Sequence, residues 1–131
     1  NNEKGVIQDR TIYEDVEIFA RNLHDLGHMS DRDWETYKNL FGNMVQFLKK
    51  PDIIIYLKAS TDTLISRIKT RNRDFEKNIN PEYLYQLNNA YNTWAKNEKS
   101  LKILTINTNN FNVFKDKEKL EDIYKLIEDS I

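Results

Sequence analysis

The chain has 131 residues, the size of one domain, and its 20 basic residues face 21 acidic ones for a net charge of −1. That balance argues against a domain that coats a nucleic-acid duplex, and no apolar run approaches the roughly 20 residues of a membrane span. With no Cys, a disulfide scaffold, a Cys-ligated metal site and a thiol nucleophile are excluded.

Gly5–Gln8 is a short apolar run that predicts a strand, ending at Asp9-Arg10. From Glu14 the pattern is helical, with Val16, Phe19, Leu23 and Leu26 at spacings of three and four and Gly27 as the C-cap. A second helix carries Trp34, Tyr37, Phe41, Met44 and Leu48, with Asp31 or Asp33 as its N-cap and Pro51 as its stop. Ile53–Leu57 is apolar and β-branched, which predicts a strand buried on both faces. Ser60 and Thr61 offer caps for a helix with Leu64, Ile65 and Ile68, and 71–80 is polar and irregular. Asn80 and Pro81 predict the cap and first turn of a helix with Leu84, Leu87, Tyr91 and Trp94. Ile103–Ile106 predicts a third strand, 107–112 a loop, and Leu120, Ile123, Tyr124 and Ile127 a last helix.

Strands alternating with helices predict an α/β fold with a parallel sheet. No repeat or linker interrupts it, so 1–131 reads as part of a single domain. Three strands are few for such a sheet. The expectation is therefore a C-terminal portion of a longer, soluble, cytoplasmic protein.

Arg is the scarcer cation, at Arg10, Arg21, Arg32, Arg67, Arg71 and Arg73, and three of the six fall within seven residues. A local switch from Lys to Arg points to a use for the planar fork. Arg67 and Arg71 share a helix face, and Arg73 follows in the polar segment. Together they suit a polyphosphate, or else form a solvated basic face paired with Asp62, Asp74 and Glu76. Asp9 beside Arg10 at a strand's carboxyl end suits a metal ion or hydroxyl next to a phosphate, or is a plain ion pair. Glu76 can accept from a sugar hydroxyl or pair with Arg73. Asp15 can read a base edge or serve the helix dipole. His24 and His28 have the i, i+4 spacing of a metal pair but lack a third ligand nearby. The Trp and Tyr stripes read as core. Gly5, Gly27 and Gly42 cannot form the G-x-x-x-x-G-K-[ST] phosphate cradle.

Taken together, these residues resemble the deoxyribonucleoside kinase family. Asp9-Arg10-Thr11-Ile12-Tyr13-Glu14-Asp15, followed by Ile18-Phe19-Ala20, is similar to the family's (D/E)-R-S motif, with Thr11 in place of Ser. Arg67-x-x-x-Arg71-Asn72-Arg73-x-x-Glu76 is similar to its lid, with Asn72 where Gly is common. Pro51–Leu57, Tyr83–Trp94 and Asn109-Asn110-Phe111 resemble the strand before the lid helix, the helix after it and the loop against the donor adenine.

The resemblance implies a P-loop kinase-like three-layer α/β sandwich, here incomplete. The strands that carry the P-loop, its Lys and the catalytic Glu are expected outside this chain, which alone is expected to be inactive. The lid is expected at about 67–80. The implied reaction moves the ATP γ-phosphate to the 5′-hydroxyl of a deoxyribonucleoside. By resemblance Asp9 helps hold Mg²⁺ and Arg10 orients the substrate 5′ end. Arg67, Arg71 and Arg73 stabilise the transferred charge, and Glu76 binds the sugar 3′-hydroxyl. Asn109, Asn110 and Phe111 contact the donor, and Asp15 reads the base, which implies a purine. A homodimer through the helix at about 33–48 is implied as well. The rival readings are a thymidylate kinase-like enzyme acting on monophosphates and a truncated, non-catalytic interaction domain.

Overall fold

Three helices begin at a side chain that closes onto the backbone. Ser30, Ser60 and Asn80 are extended and accept from the amides of Asp33, Thr63 and Glu82, respectively. Each bond satisfies a donor that the helix itself leaves orphaned. The computed structural model in which they appear describes residues 4–73 and 78–131. It falls into two units, Asn1–Leu48 and Lys49–Ile131.

In the first unit, α1 (Ile12–Glu14), a π-helical segment (Asp15–Ala20) and α2 (Arg21–Asp25) run on without a break. The wider π turn shifts the helical phase. Val16, Ile18 and Ala20 are buried in consequence, whereas Leu23 and Leu26 are exposed. The stripe expected from a uniform 3.6-residue period therefore fails after Val16.

The expected cap at Gly27 is present. Gly27 has φ +77°, its amide donates to the His24 carbonyl at 2.9 Å, and the His28 amide donates to Leu23 at 2.8 Å. These are the two bonds of a Schellman ending.

The following helix, α3 (Asp31–Val45), is capped by Ser30 rather than by Asp31 or Asp33. Those two carboxylates stand in its first turn, where the helix dipole favours them. Val16, Ala20 and Trp34 form the core of this unit, with Met29, Tyr37 and Phe41 packed on it. Tyr13 meets Phe41 edge-on, with ring centroids 5.9 Å apart. Helix α3 ends well before Pro51, and Met44 and Leu48 are exposed rather than buried.

Gly5–Gln8 is not a strand. A strand needs a neighbour's ladder, and no described residue pairs with this run. Val6 and Ile7 are accordingly almost fully exposed.

The second unit holds a two-stranded parallel sheet of β1 (Ile54–Lys58) and β2 (Ile103–Asn107), with Ile54 opposite Ile103 and Lys58 opposite Asn107. Helices α4 (Thr61–Arg71) and α5 (Pro81–Asn97) lie between the strands in sequence, and α6 (Lys117–Ser130) follows β2. Helix α4 packs on α5, and α6 packs on β2. Ile54, Ala59, Trp94, Leu101 and Ile106 are buried.

The expectation that β1 is covered on both faces is corrected. Ile54 is buried, and Tyr56 donates a hydrogen bond to Asn92 of α5. Ile55 and Leu57, which alternate onto the opposite face, are 38% and 62% exposed. Among the described residues no helix is long and apolar enough to cross a membrane.

Candidate functional site

In the first unit, the couplet Asp9-Arg10 stands just ahead of α1. Arg10 has φ +66°, a left-handed conformation that costs a non-glycine residue about 1–2 kcal/mol. Strain of this kind persists only where surrounding contacts hold it. Two such contacts are visible. The Gln8 side-chain amide donates to the Arg10 carbonyl at 3.0 Å. The guanidinium lies over the Phe19 ring, 4.7 Å from its centroid, a cation–π contact.

Asp9 is exposed, and among the described residues it forms no ion pair with Arg10. Asp15 is exposed at the first position of the π segment. The adjoining Thr11 Oγ1 and Tyr13 hydroxyl are buried with no hydrogen-bond partner. Each unmade bond costs about 1–3 kcal/mol, so polar groups without partners gather just past the couplet. No periodicity or spacing marked these two atoms in the sequence.

His24 is half-buried and already engaged within its own unit. Its Nε2 is 2.6 Å from Asp31 Oδ1, its Nδ1 is 3.4 Å from Asp25 Oδ1, and its ring stacks on Trp34. His28 does not join it. Among the described residues no group of three or more His, Asp or Glu gathers as a metal site.

In the second unit, Arg67 and the loop after β2 are brought together. Arg67 Nη1 donates to Thr108 Oγ1 at 3.0 Å. Its Nη2 donates to the Thr108 carbonyl and, at 3.3 Å, to the Phe111 carbonyl. Asn109 Oδ1 accepts from the Ser60 amide at 2.7 Å. Lys119 of α6 donates to the Asn110 carbonyl at 2.9 Å. These bonds shape a cleft of about 400 Å³ lined by Ile106, Asn109, Phe111, Lys119 and Asp122, among others. A guanidinium carries five N–H donors, so Arg67 keeps part of its capacity beyond these three bonds.

Arg71 and Arg73 are exposed on either side of Asn72. Asn72 ends α4 at φ +50°, ψ +42°, its amide donating to the Ile68 carbonyl at 3.1 Å. It does there what glycine would do, since Asn tolerates the left-handed region better than most residues. Glu76 lies outside the described residues. Thr108 and Lys119, both central to this cluster, carry no mark in the sequence, because their partners are the carbonyls of distant or irregular backbone.

A family model described as deoxynucleoside kinase matches residues 1–131. The chain is 42% identical over 123 residues to a deoxyadenosine kinase of Dictyostelium discoideum, covering 93% of this chain and 49% of the relative. It is 32% identical over 121 residues to a deoxyadenosine/deoxycytidine kinase of Bacillus subtilis (strain 168), covering 91% and 56%. It thus spans about half the length of these curated relatives. The solved structure of a deoxyadenosine kinase from M. mycoides with bound dATP superposes with a TM-score of 0.75 at 33% identity, over 95% of this chain and 64% of that one. The expected α/β class with a parallel sheet holds, and relative to that kinase it is incomplete.

Proposed function

The chain belongs to the deoxynucleoside kinase family, and on that premise we propose that the whole protein transfers the ATP γ-phosphate to the 5′-hydroxyl of a purine deoxyribonucleoside. The match along 1–131 carries the reading, because the couplet Asp9-Arg10 and the series Arg67, Arg71, Arg73 both stand within it. The purine preference is supported by Asp15 and by relatives named for deoxyadenosine and deoxyguanosine. Residues 1–131 belong in this reading to a single kinase domain with its lid at about 67–80.

In the transfer a bond forms between the 5′-oxygen and the γ-phosphorus, and the hydroxyl's proton passes to the catalytic Glu expected outside this chain. The bond to the β–γ bridging oxygen breaks, and ADP leaves. Such a step is mostly positioning and charge neutralisation. Arg10, locked by Gln8 and Phe19, orients the 5′ end of the nucleoside. Asp15 accepts from the base edge, and Glu76 accepts from the sugar 3′-hydroxyl. Arg71 and Arg73 meet the charge that builds on the transferred group, and Arg67 adds to it while joining α4 to the loop Asn109–Phe111. The cleft beside that loop takes the donor base.

Asp9 is an exposed hard-oxygen donor. It fits Mg²⁺, which takes one or two carboxylates together with phosphate oxygens and water. That ion would neutralise phosphate charge.

The partners are the nucleoside and ATP rather than nucleic acid or membrane, in the cytoplasm. A homodimer forms through α3, whose Leu40 and Met44 are exposed, as are Phe47 and Leu48 just beyond it. The test is phosphotransfer by the full-length protein with each deoxynucleoside in turn. Turnover fastest with a purine is expected. Turnover with none of them would end the reading.

A further inference from the structure

We infer that Thr108 is a positioning residue that fixes Arg67 and, through it, the loop that forms the 400 Å³ cleft. The residue is only 6% exposed, the one buried polar residue among those described. Its hydroxyl donates to the Lys58 carbonyl at 3.0 Å and accepts from Arg67 Nη1 at 3.0 Å. Its amide donates to the same Lys58 carbonyl at 2.8 Å. Its own carbonyl accepts from Arg67 Nη2 and, at 3.2 Å, from the Phe111 amide. Thr108 therefore pins the carboxyl end of β2 to that of β1 through its amide and its hydroxyl, and presents one side-chain and one main-chain acceptor to the guanidinium.

The direction of control follows from burial. Turning the Thr108 hydroxyl away would leave it unsatisfied inside the fold, whereas Arg67 is an exposed residue whose donors can find water. Thr108 is the fixed post and Arg67 is the strut. The strut also holds the Phe111 carbonyl, so the spacing between α4 and residues 109–111 is set by a group that lines no part of the cleft. A charge-assisted bond of this kind is worth more than a neutral one. Losing it leaves the Arg67 fork on two main-chain carbonyls alone and loosens the tie between the loop and α4.

The functional half of the inference rests on the reading of the cleft as the site of the ATP base. Threonine and valine have nearly the same shape, so Thr108→Val in the full-length protein removes the hydroxyl with little change of volume, and Thr108→Ser keeps it. Thr108→Val is expected to raise the Michaelis constant for ATP roughly five- to tenfold, the size of one ordinary hydrogen bond, since the guanidinium keeps its two main-chain acceptors. The constant for the deoxynucleoside should stay unchanged, and Thr108→Ser should restore the wild-type value. Amide hydrogen exchange at 109–111 should quicken in the valine variant and return in the serine variant. Unchanged exchange at 109–111 overturns the strut. Quickened exchange with an unchanged ATP constant overturns its role at the cleft. If Thr108→Val does not fold, hydrogen exchange alone is read on Arg67→Lys, which keeps the charge and loses the fork, and it must quicken at 109–111. A wild-type protein with no phosphotransfer would end the kinase reading alone, since hydrogen exchange still decides the strut.

Discussion

The hydroxyl of Tyr56 on β1 donates to Asn92 Oδ1 on α5 at 2.8 Å, and its ring stacks on Tyr91 with centroids 5.8 Å apart. Burial pushes the Tyr56 hydroxyl above its ordinary pKa of 10.0, because the phenolate loses water it cannot replace. The unfolded chain thus gives up this proton first. The stabilisation is complete below the unfolded value and is lost as pH rises through the higher folded one. Tyr56→Phe is expected to cost about 1 kcal/mol near neutrality and to lose less than wild type above about pH 10. Urea unfolding on both sides of that pH measures it. Equal alkaline losses in the two proteins would refute the assignment.

Gly27→Ala tests the Schellman ending of α2. A Cβ at Gly27 would meet nothing within 4 Å, so only its φ of +77° stands against substitution. Alanine is expected to cost about 1 kcal/mol, and asparagine, which tolerates that conformation better, should cost less. Thermal unfolding of the two variants gives the order. An alanine variant as stable as wild type would show that no left-handed residue is needed there.

Arg71→Ala addresses the charge-stabilising series. In the full-length protein it is expected to raise the barrier to transfer by about 2–4 kcal/mol, as for loss of one preorganised donor. The turnover number at saturating ATP and nucleoside reports it. Turnover within twofold of wild type would remove Arg71 from the reacting phosphate.

Asp15→Ala separates substrate choice from rate. The ratio of kcat/KM for deoxyadenosine to that for thymidine is expected to fall at least tenfold, because a carboxylate built to accept from a base edge is gone. Activity on the disfavoured nucleoside should persist. An unchanged ratio would leave Asp15 as a surface carboxylate at a helix start.

What the sequence makes legible here is local. Asn80 with Pro81, Ser60 and Gly27 all act on backbone within a few residues, so residue type alone identifies them. Asn72 is legible for the same reason, since few residues other than glycine sit easily at positive φ. Ser30 goes unmarked beside Asp31 and Asp33, since all three residue types cap well and only the extended backbone at Ser30 decides. The π turn has no letter of its own. It displaces the buried set onto Val16, Ile18 and Ala20. Gly5–Gln8 has the composition of a strand, but composition cannot supply the neighbour that a ladder needs. The Arg67–Thr108 contact joins residues 41 apart. Arginine spacing announces a helix face with forks on it, and says nothing of which carbonyls they will seize.

The wide turn at Asp15–Ala20 acts as a phase offset between Thr11–Glu14 and everything after it. That wide turn holds roughly one residue more than an α-turn, so excising a single residue there would let an ordinary helix close with its two flanks still in phase. Tyr13 would keep its aim at Phe41, whereas excising a residue from the α-helical turns after it would swing it by roughly 100°. The aim of this helix start is thus stored as a length of chain rather than as the identity of any side chain, and the wide turn is the stretch best able to give up a residue.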